Sequence, residues 1–279
     1  SRLGVPVIGV PKTIDNDLDK TDHTPGFGSA AKYIGTTVSE IAKDSQVYCL
    51  KSVTIVEIMG RHTGWLTAAS GLARNENEAA PHLIYLPEAP FCTENFIGDI
   101  KKLFDKGICN VIVAVSEGVA DKNGKFICED ENNIVLDAFG HKSLSGVGKI
   151  LENLAKNPWG CKARSIELNG CQRCAGHLLY ESDINESFLI GEKGAELALS
   201  GGTGKMMIFK RVSNSPYQVE IDSTDISQIA NFEKKVNKDL IVNGNDIKKE
   251  LLDYIRPLIL GEVKVKCENG LPVHLYRPL

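Results

Sequence analysis

The sequence contains no apolar run that approaches the roughly 20 residues needed to span a lipid bilayer, so it predicts no membrane-spanning helix. It also has no excess of positive charge, since 32 lysines and arginines stand against 36 aspartates and glutamates, for a net charge of −4. That balance gives no electrostatic reason to expect nucleic acid as a partner. No signal peptide opens the sequence, and the eight cysteines do not show the spacing of a small disulfide-rich domain. These absences predict a cytoplasmic protein with reduced thiols and with neither a membrane nor a nucleic acid as partner.

The cysteines also give little evidence for a metal site. Cys171 and Cys174 form a CxxC motif, but the sequence has no second pair to complete a zinc-binding set. A lone CxxC is weak evidence for zinc binding or for redox chemistry. We therefore assign no metal ligands within this sequence.

What the sequence does contain is a regular alternation of apolar strands and amphipathic helices. Its 279 residues suit one large or two medium α/β domains. Short runs rich in valine and isoleucine predict buried parallel strands, and apolar residues at helical spacing predict helices between them. Each strand ends in glycine or polar residues, which is typical of a doubly wound α/β sheet. The predicted strands are 5–10, 53–59, 82–86, 110–115, 163–168, 206–209 and 218–221, and the main predicted helices are 29–43, 146–155, 184–199 and 247–260.

The chain is organised around residues 5–17, which read VPVIGVPKTIDND. The apolar beginning predicts a strand buried on both faces, and the polar segment after it carries Lys12, Thr13, Asp15 and Asp17. If this segment is extended, Asp15 and Asp17 point the same way, and a carboxylate beside a lysine stays ionised and can accept a hydroxyl proton. The segment therefore indicates either the catalytic loop of a phosphoryl transferase or an ordinary Asx turn, and spacing alone does not decide between them.

Three further strand ends carry charged side chains. Arg61, Glu117 and Arg173 each follow a predicted strand, and ligands of open α/β sheets bind beyond the carboxyl ends of strands. Arginine binds phosphate with two parallel hydrogen bonds, and a lone carboxylate in such a site typically accepts sugar hydroxyls. Each residue taken singly could equally be a surface charge, a turn cap or an ion-pair partner. Together they indicate a binding site but do not name its substrate.

Six short segments together resemble the 6-phosphofructokinases in order and approximate spacing. They are PKTIDND at 11–17, TDHTPGF at 21–27, VEIMGR at 56–61, PE at 87–88, SEG at 116–118 and QR at 172–173. The resemblance extends to about Arg211 and fades beyond it. It implies the phosphofructokinase fold, an α/β fold of two interleaved Rossmann-like lobes. On that fold, 1–27 would be the remainder of the phosphoryl-donor lobe, 28–170 the sugar-phosphate lobe, 171–228 the return to the donor lobe, and 229–279 a carboxyl-terminal helix and tail.

The glycine-rich donor loop of the family lies upstream of the TIDND segment. Neither of its forms, GGDD or GGDGS, occurs in this sequence. We therefore expect the amino-terminal part of the fold to be missing before Ser1.

The resemblance also implies a role for each matching residue. Asp15 matches the base that accepts the proton from the 1-hydroxyl of fructose 6-phosphate, and Thr13 lies beside it in the sugar site. Residues 59–61 match the sugar-binding MGR, whose arginine reaches phosphate or sugar oxygens, and Glu117 matches the acid that holds sugar hydroxyls. The implied substrate-binding residues are Thr13, Asp15, Met59, Gly60, Arg61 and Glu117, together with Arg164 and Arg173 for the 6-phosphate.

Two positions depart from the family pattern. Some relatives extend an arginine across the subunit interface from the position nine residues before Arg61, and this position is Ser52 here. The usual HIQRGG reads GCQRCA at 170–175. Both departures concern the surroundings of the 6-phosphate.

Lys12 bears on the choice of phosphoryl donor. ATP-dependent relatives carry glycine at this position, whereas pyrophosphate-dependent relatives carry lysine. Because pyrophosphate brings no adenosine to bind, a positioned ammonium group could replace part of the missing stabilisation. The resemblance therefore implies Lys12 and Asp15 as catalytic residues, Mg²⁺ as cofactor, fructose 6-phosphate and pyrophosphate as substrates, and a homo-oligomer. The open alternatives are an ATP-dependent 6-phosphofructokinase and a non-catalytic sugar-phosphate-binding subunit.

Overall fold

The computed structural model of the protein describes residues 4–47, 50–129 and 146–273. The chain divides into two compact units. The first unit comprises Ser1–Tyr33, Gly170–Lys234 and Asp253–Leu279, and the second comprises Ile34–Asn169 and Lys235–Leu252. Residues 130–145 of the predicted sugar-phosphate lobe and 274–279 of the predicted tail lie outside the described residues. The assignment of donor and sugar-phosphate roles to the predicted lobes stays a prediction.

Helices and strands alternate through most of the described chain. The helices are α1 (Phe27–Ser45), α2 (Trp65–Ala69), α3 (Thr93–Asp105), α4 (Val147–Trp159), α5 (Glu181–Leu199) and α6 (Lys249–Ile255). The strands are β1 (Ile8–Gly9), β2 (Ser52–Ile58), β3 (Leu83–Tyr85), β4 (Asn110–Ser116), β5 (Lys162–Glu167), β6 (Lys205–Asn214), β7 (Tyr217–Asp225), β8 (Ile241–Val242), β9 (Asp246–Ile247), β10 (Cys267–Glu268) and β11 (Leu271–Pro272). None of the helices within the described ranges is both long and apolar enough to cross a membrane.

The second unit is built on a four-stranded parallel sheet in the order β3-β4-β2-β5. Six of the seven residues in β2 and in β4 are buried, because helices cover both faces of such a sheet. The core packs strand residues such as Val53, Val113 and Val115 against Phe96 and Leu151 from α3 and α4. The predicted parallel sheet is confirmed, and its strands begin and end within two residues of the predicted positions.

The first unit contains a three-stranded sheet in the order β1-β6-β7, with β1 parallel to β6 and β6 antiparallel to β7. Strands β6 and β7 are longer than predicted. Polar residues alternate with apolar ones along both strands, because only one face of this pair packs on α5. That packed face includes Met207 and Phe209, which contact Ile190 of α5. Sequence periodicity found the apolar centre of each strand but missed the half-exposed ends.

The prediction of a buried strand over 5–10 is wrong. Strand β1 has two residues and lies at an edge of its sheet, where β6 is its partner. Val5, Val7 and Val10 are 59%, 54% and 44% exposed. Pro6 and Pro11, which have no N–H to donate, flank the strand and limit the pairing that this segment can make.

Candidate active site

The loop that follows β1 in the first unit carries Lys12, Thr13 and Asp15, and it is folded rather than extended. Ile14 and Asp15 form a turn, and Asn16 has a left-handed backbone with φ of +56°. The Oγ1 atom of Thr13 accepts a hydrogen bond from the Asp15 N–H at 3.1 Å. The condition under which Asp15 and Asp17 would point the same way is therefore not met, because alternation of side chains requires strand dihedrals.

The buried side chain of Asn16 anchors this loop to other parts of the first unit. Its side chain is fully buried, its Nδ2 donates to the Tyr254 hydroxyl at 3.0 Å, and its Oδ1 accepts from Lys234 Nζ at 3.2 Å. Asparagine tolerates the left-handed region better than most side chains. Sequence reasoning missed Tyr254 and Lys234, because both follow the point where the family motifs end and neither stands in a recognisable pattern.

Arg173 shares a cavity with the same loop. It is the last residue of a 3₁₀ helix, Asn169–Arg173, and it is exposed. A cavity of about 420 Å³ in the first unit is lined by Ile14, Arg173 and Asp183, among others. The Asp183 carboxylate accepts hydrogen bonds from Gly26 N at 2.7 Å and from Ser29 Oγ at 2.6 Å, at the beginning of α1. Asp183 is thus bonded to the beginning of α1, and Arg173 is the cationic side chain that the cavity lining contains.

The second unit brings the MGR segment and Glu117 together. Residues 59–61 follow β2 and residues 117–118 follow β4, and the neighbouring strand ends pair Ile58 with Ser116. Gly60 N donates to Glu117 Oε1 at 3.3 Å, and Ser116 Oγ donates to the Gly60 carbonyl. A Cβ added at Gly118 would lie 1.8 Å from the Arg61 carbonyl oxygen, so glycine is required where the two loops touch. The predicted neighbours Gly60, Arg61 and Glu117 therefore form one local structure.

Two buried glutamates support these loops. Glu88 Oε1 accepts from Gly64 N and from Val236 N, each at 2.9 Å, and burial raises the pKa of Glu88. Glu57, within β2, accepts from Gly148 N at 2.7 Å at the beginning of α4, and burial likewise raises its pKa. Glu57 and Glu88 therefore both accept hydrogen bonds from backbone N–H groups. These hydrogen bonds stabilise the positions of the loops and of the α4 start around the MGR segment.

Arg164 lies away from the MGR segment in the same unit. It is the third residue of β5 and pairs with Thr54, four residues before the end of β2, which corresponds to about 13 Å along the strand. Its Nη1 lies 3.3 Å from Asp44 Oδ2, beside a cavity of about 170 Å³ that Ser52 and Lys162 also line. The structure therefore brings Arg164 to Ser52, the position of the interface arginine in some relatives, and not to Arg61 or Glu117.

The described residues contain no group of three or more His, Cys, Asp or Glu side chains placed to hold a metal ion. A magnesium ion needs fewer protein ligands than this, because one or two carboxylates together with substrate phosphates commonly hold it. Asp15 and Asp17 are the carboxylates that the loop after β1 contributes.

Comparison with known proteins gives consistent matches. The family model described as phosphofructokinase matches residues 1–177. A pyrophosphate–fructose 6-phosphate 1-phosphotransferase of Halomonas elongata is 39% identical over 277 residues, and the match covers 97% of this chain and 65% of that protein. A protein of the same name from Methylococcus capsulatus is 37% identical with the same coverage. The crystal structure of a pyrophosphate-dependent phosphofructokinase from Marinobacter aquaeolei aligns with a TM-score of 0.83 at 36% identity, covering 98% of this chain and 65% of that one. Almost all of this chain therefore aligns with these relatives, but it spans only 65% of their length.

Proposed function

The chain belongs to the phosphofructokinase family, and from this membership we propose that the protein transfers a phosphoryl group from pyrophosphate to the 1-hydroxyl of fructose 6-phosphate. The observation that carries the donor assignment is Lys12, three residues before Asp15 in the loop after β1. The names of the relatives support the same assignment. Because the chain spans 65% of their length, the activity is proposed for the whole protein.

Asp15 is the base of the proposed reaction. It accepts the proton of the 1-hydroxyl while the hydroxyl oxygen bonds to phosphorus and the bond from that phosphorus to the bridging oxygen of pyrophosphate breaks. The products are fructose 1,6-bisphosphate and orthophosphate, and the reaction is reversible. Lys12 stabilises the negative charge that develops on the transferring group.

The other predicted residues bind the sugar phosphate. Glu117 accepts hydrogen bonds from sugar hydroxyls, and Arg61 contacts phosphate or sugar oxygens. The position of Arg173 in the lining of the 420 Å³ cavity supports it as a ligand of the 6-phosphate. Arg164 shares a cavity with Ser52, so we assign it to the 6-phosphate of a neighbouring copy in a homo-oligomer.

Mg²⁺ is the proposed cofactor. Such an ion is held mainly by the phosphates of the donor and needs few protein ligands, so we assign none within this chain. When bound, the ion neutralises charge on those phosphates.

The direct test is product formation by the full-length protein. Fructose 6-phosphate, pyrophosphate and Mg²⁺ are incubated with the protein, and ³¹P NMR follows the appearance of fructose 1,6-bisphosphate and orthophosphate. We expect turnover with pyrophosphate and much weaker turnover with ATP in its place. A strong preference for ATP would favour an ATP-dependent kinase, and binding of fructose 6-phosphate without turnover with either donor would favour a non-catalytic subunit.

A further inference from the structure

A partly buried lysine contacts the loop that carries Asp15. The Lys234 Nζ atom lies 3.2 Å from Asn16 Oδ1, 3.2 Å from the Thr21 carbonyl oxygen and 3.3 Å from the Tyr254 hydroxyl. It also donates a short hydrogen bond to the Asp22 carbonyl oxygen. An ammonium group has three protons to donate, and here four oxygens surround it.

The main chain of the same segment also holds the loop. Lys234 N donates to the Asp17 carbonyl oxygen at 2.7 Å, and Glu233 forms an antiparallel bridge with Leu18. The lysine therefore contacts the loop through both its backbone and its side chain, at Asn16 and at residues that follow it.

The contact with Asn16 is the one that bears on Asp15. Asn16 follows Asp15 directly, its left-handed backbone determines the direction of the chain there, and both ends of its side-chain amide are engaged, one by Lys234 and one by Tyr254. Without the lysine, the Asn16 carbonyl group would be buried without that donor, and a buried acceptor without a partner is costly.

We propose that Lys234 is a positioning residue for the catalytic loop. Through its contact with Asn16, Lys234 holds the Asp15 carboxylate at the attacking hydroxyl. The inference rests on the proposed function, since it assumes that Asp15 is the base. A lysine is an expensive residue for packing alone, because burial of an ammonium group is unfavourable unless its charge and its donors are used.

The charge of Lys234 is sensitive to pH. Burial lowers the pKa of Lys234 to about 8, despite the opposing effect of nearby carboxylates. The charged and titratable groups that face it are Asp17, Asp19 and Asp22 from the loop, Arg211 from β6 and Tyr254 from α6. When the proton leaves, the amine has two donors for four oxygens, so the hold on Asn16 weakens as pH rises through about 8.

The experiment compares Lys234→Met, Lys234→Arg and the matched control Lys238→Met, which alters an exposed lysine four residues away. In the full-length protein, Lys234→Met should lower kcat by roughly 10²-fold, the size of effect that a small misplacement of a catalytic group produces. The KM for fructose 6-phosphate should change far less, because a general base acts mainly in the transition state. Lys234→Arg, which keeps its charge at all accessible pH values, should restore most of kcat and should remove the decline above about pH 8.

Amide hydrogen exchange supplies a readout that does not depend on turnover. Peptides covering 13–22 should exchange faster in Lys234→Met than in the wild type, and at the wild-type rate in Lys238→Met. An unchanged kcat in Lys234→Met, unchanged exchange in those peptides, or an alkaline decline in Lys234→Arg equal to that of the wild type would overturn the inference. A wild type that does not phosphorylate fructose 6-phosphate would instead overturn the proposed function, and the exchange rates would still decide whether Lys234 holds the loop.

Discussion

At the scale of single residues, the proposed chemistry depends on Asp15 and on the atoms that hold its backbone. Its N–H is bound by Thr13 Oγ1, and the Thr13 carbonyl in turn accepts from Thr24 Oγ1 at 2.6 Å. The residue after it, Asn16, is buried and bonded on both sides of its amide. These contacts prevent the loop from adopting an extended conformation, in which successive side chains would point in opposite directions. The position of Asp15 therefore depends on the contacts that the loop makes within the first unit.

Replacement of Asp15 tests its role as the base. In the full-length protein, Asp15→Ala should lower kcat by roughly 10²–10⁴-fold, the usual contribution of a positioned base. The affinity for fructose 6-phosphate should change much less, because the base acts mainly in the transition state. Steady-state kinetics and equilibrium binding of the sugar phosphate measure the two effects. A variant with the wild-type kcat would remove Asp15 from the reaction.

His23 gives a pH-dependent prediction for the stability of the first unit. Its ring lies between Asp22 Oδ2 and Glu186 Oε2, each 2.9 Å from a ring nitrogen, and it stacks on Phe209. Burial alone would lower the pKa of His23, but the hydrogen bonds to the two carboxylates outweigh burial and raise the pKa above the ordinary value of 6.5. A raised pKa in the folded state means that the unfolded state releases the proton first. This contribution to stability is therefore complete below about pH 6.5 and is lost as pH rises through the folded-state pKa.

The variant His23→Gln should accordingly show its largest loss of thermal stability at about pH 6 and a smaller loss at about pH 9. Differential scanning calorimetry at both pH values measures the difference. The variant His177→Gln, which removes an exposed imidazole, serves as the control. A loss that is equal at the two pH values, or larger at the higher one, would mean that His23 does not carry the charge assigned to it.

At the scale of secondary-structure elements, sequence patterns predict well where burial decides the structure. Strands β2 and β4 are continuous apolar runs buried on both faces, so their bounds follow from the sequence to within two residues. Strand β1 has an equally apolar sequence, but among the described residues it pairs with β6 alone, and the neighbouring Val5, Val7 and Val10 are exposed. Hydrophobicity alone does not distinguish these two cases. It shows that a segment is apolar enough to be buried, but it does not show which other elements pack against that segment.

In the candidate site, likewise, the sequence predicted some residues and missed others. The motifs indicated Gly60, Arg61 and Glu117, and the structure joins Gly60 to Glu117 by a hydrogen bond and brings the Arg61 carbonyl against Gly118. They did not indicate Lys234 or Tyr254, which reach Asn16 across more than 200 residues of sequence. Such contacts depend on the tertiary fold, and no local spacing in a single sequence predicts them.

The glycine at 118 gives a prediction at the scale of elements. In Gly118→Ala the new methyl group would meet the Arg61 carbonyl oxygen at 1.8 Å, so one of the two loops must move. We expect kcat/KM for fructose 6-phosphate to fall by roughly 10²-fold, since displacement of a binding residue by about 1 Å has effects of this size.

The matched control is Gly98→Ala in α3, where nothing lies within 4 Å of the added Cβ. It should retain activity and raise the free energy of unfolding by about 0.5–1 kcal/mol, because glycine costs more backbone entropy than alanine in a helix. Wild-type kcat/KM in Gly118→Ala would show that the contact between the two loops does not position Arg61.

At the scale of the whole molecule, each unit carries part of the predicted residue set. The first unit holds Lys12, Asp15 and Arg173, and the second holds Arg61 and Glu117. The likeness to a solved pyrophosphate-dependent phosphofructokinase over 98% of this chain confirms the predicted phosphofructokinase fold. The donor assignment is the claim that connects the family to a specific reaction, and it depends on one side chain, Lys12.

The most direct test of that claim measures kcat/KM with pyrophosphate and with ATP for the full-length wild type and for Lys12→Gly, at saturating fructose 6-phosphate. With ATP, part of the binding energy comes from the remote adenosine, whereas with pyrophosphate all of it comes from the phosphates. Lys12→Gly should therefore lower kcat/KM for pyrophosphate by about 10²-fold or more, the usual loss for one positioned electrostatic contact. Any ATP-dependent activity should fall less. Equal losses with both donors would show that Lys12 serves the reaction without selecting the donor, and a wild type that strongly prefers ATP would contradict the pyrophosphate assignment.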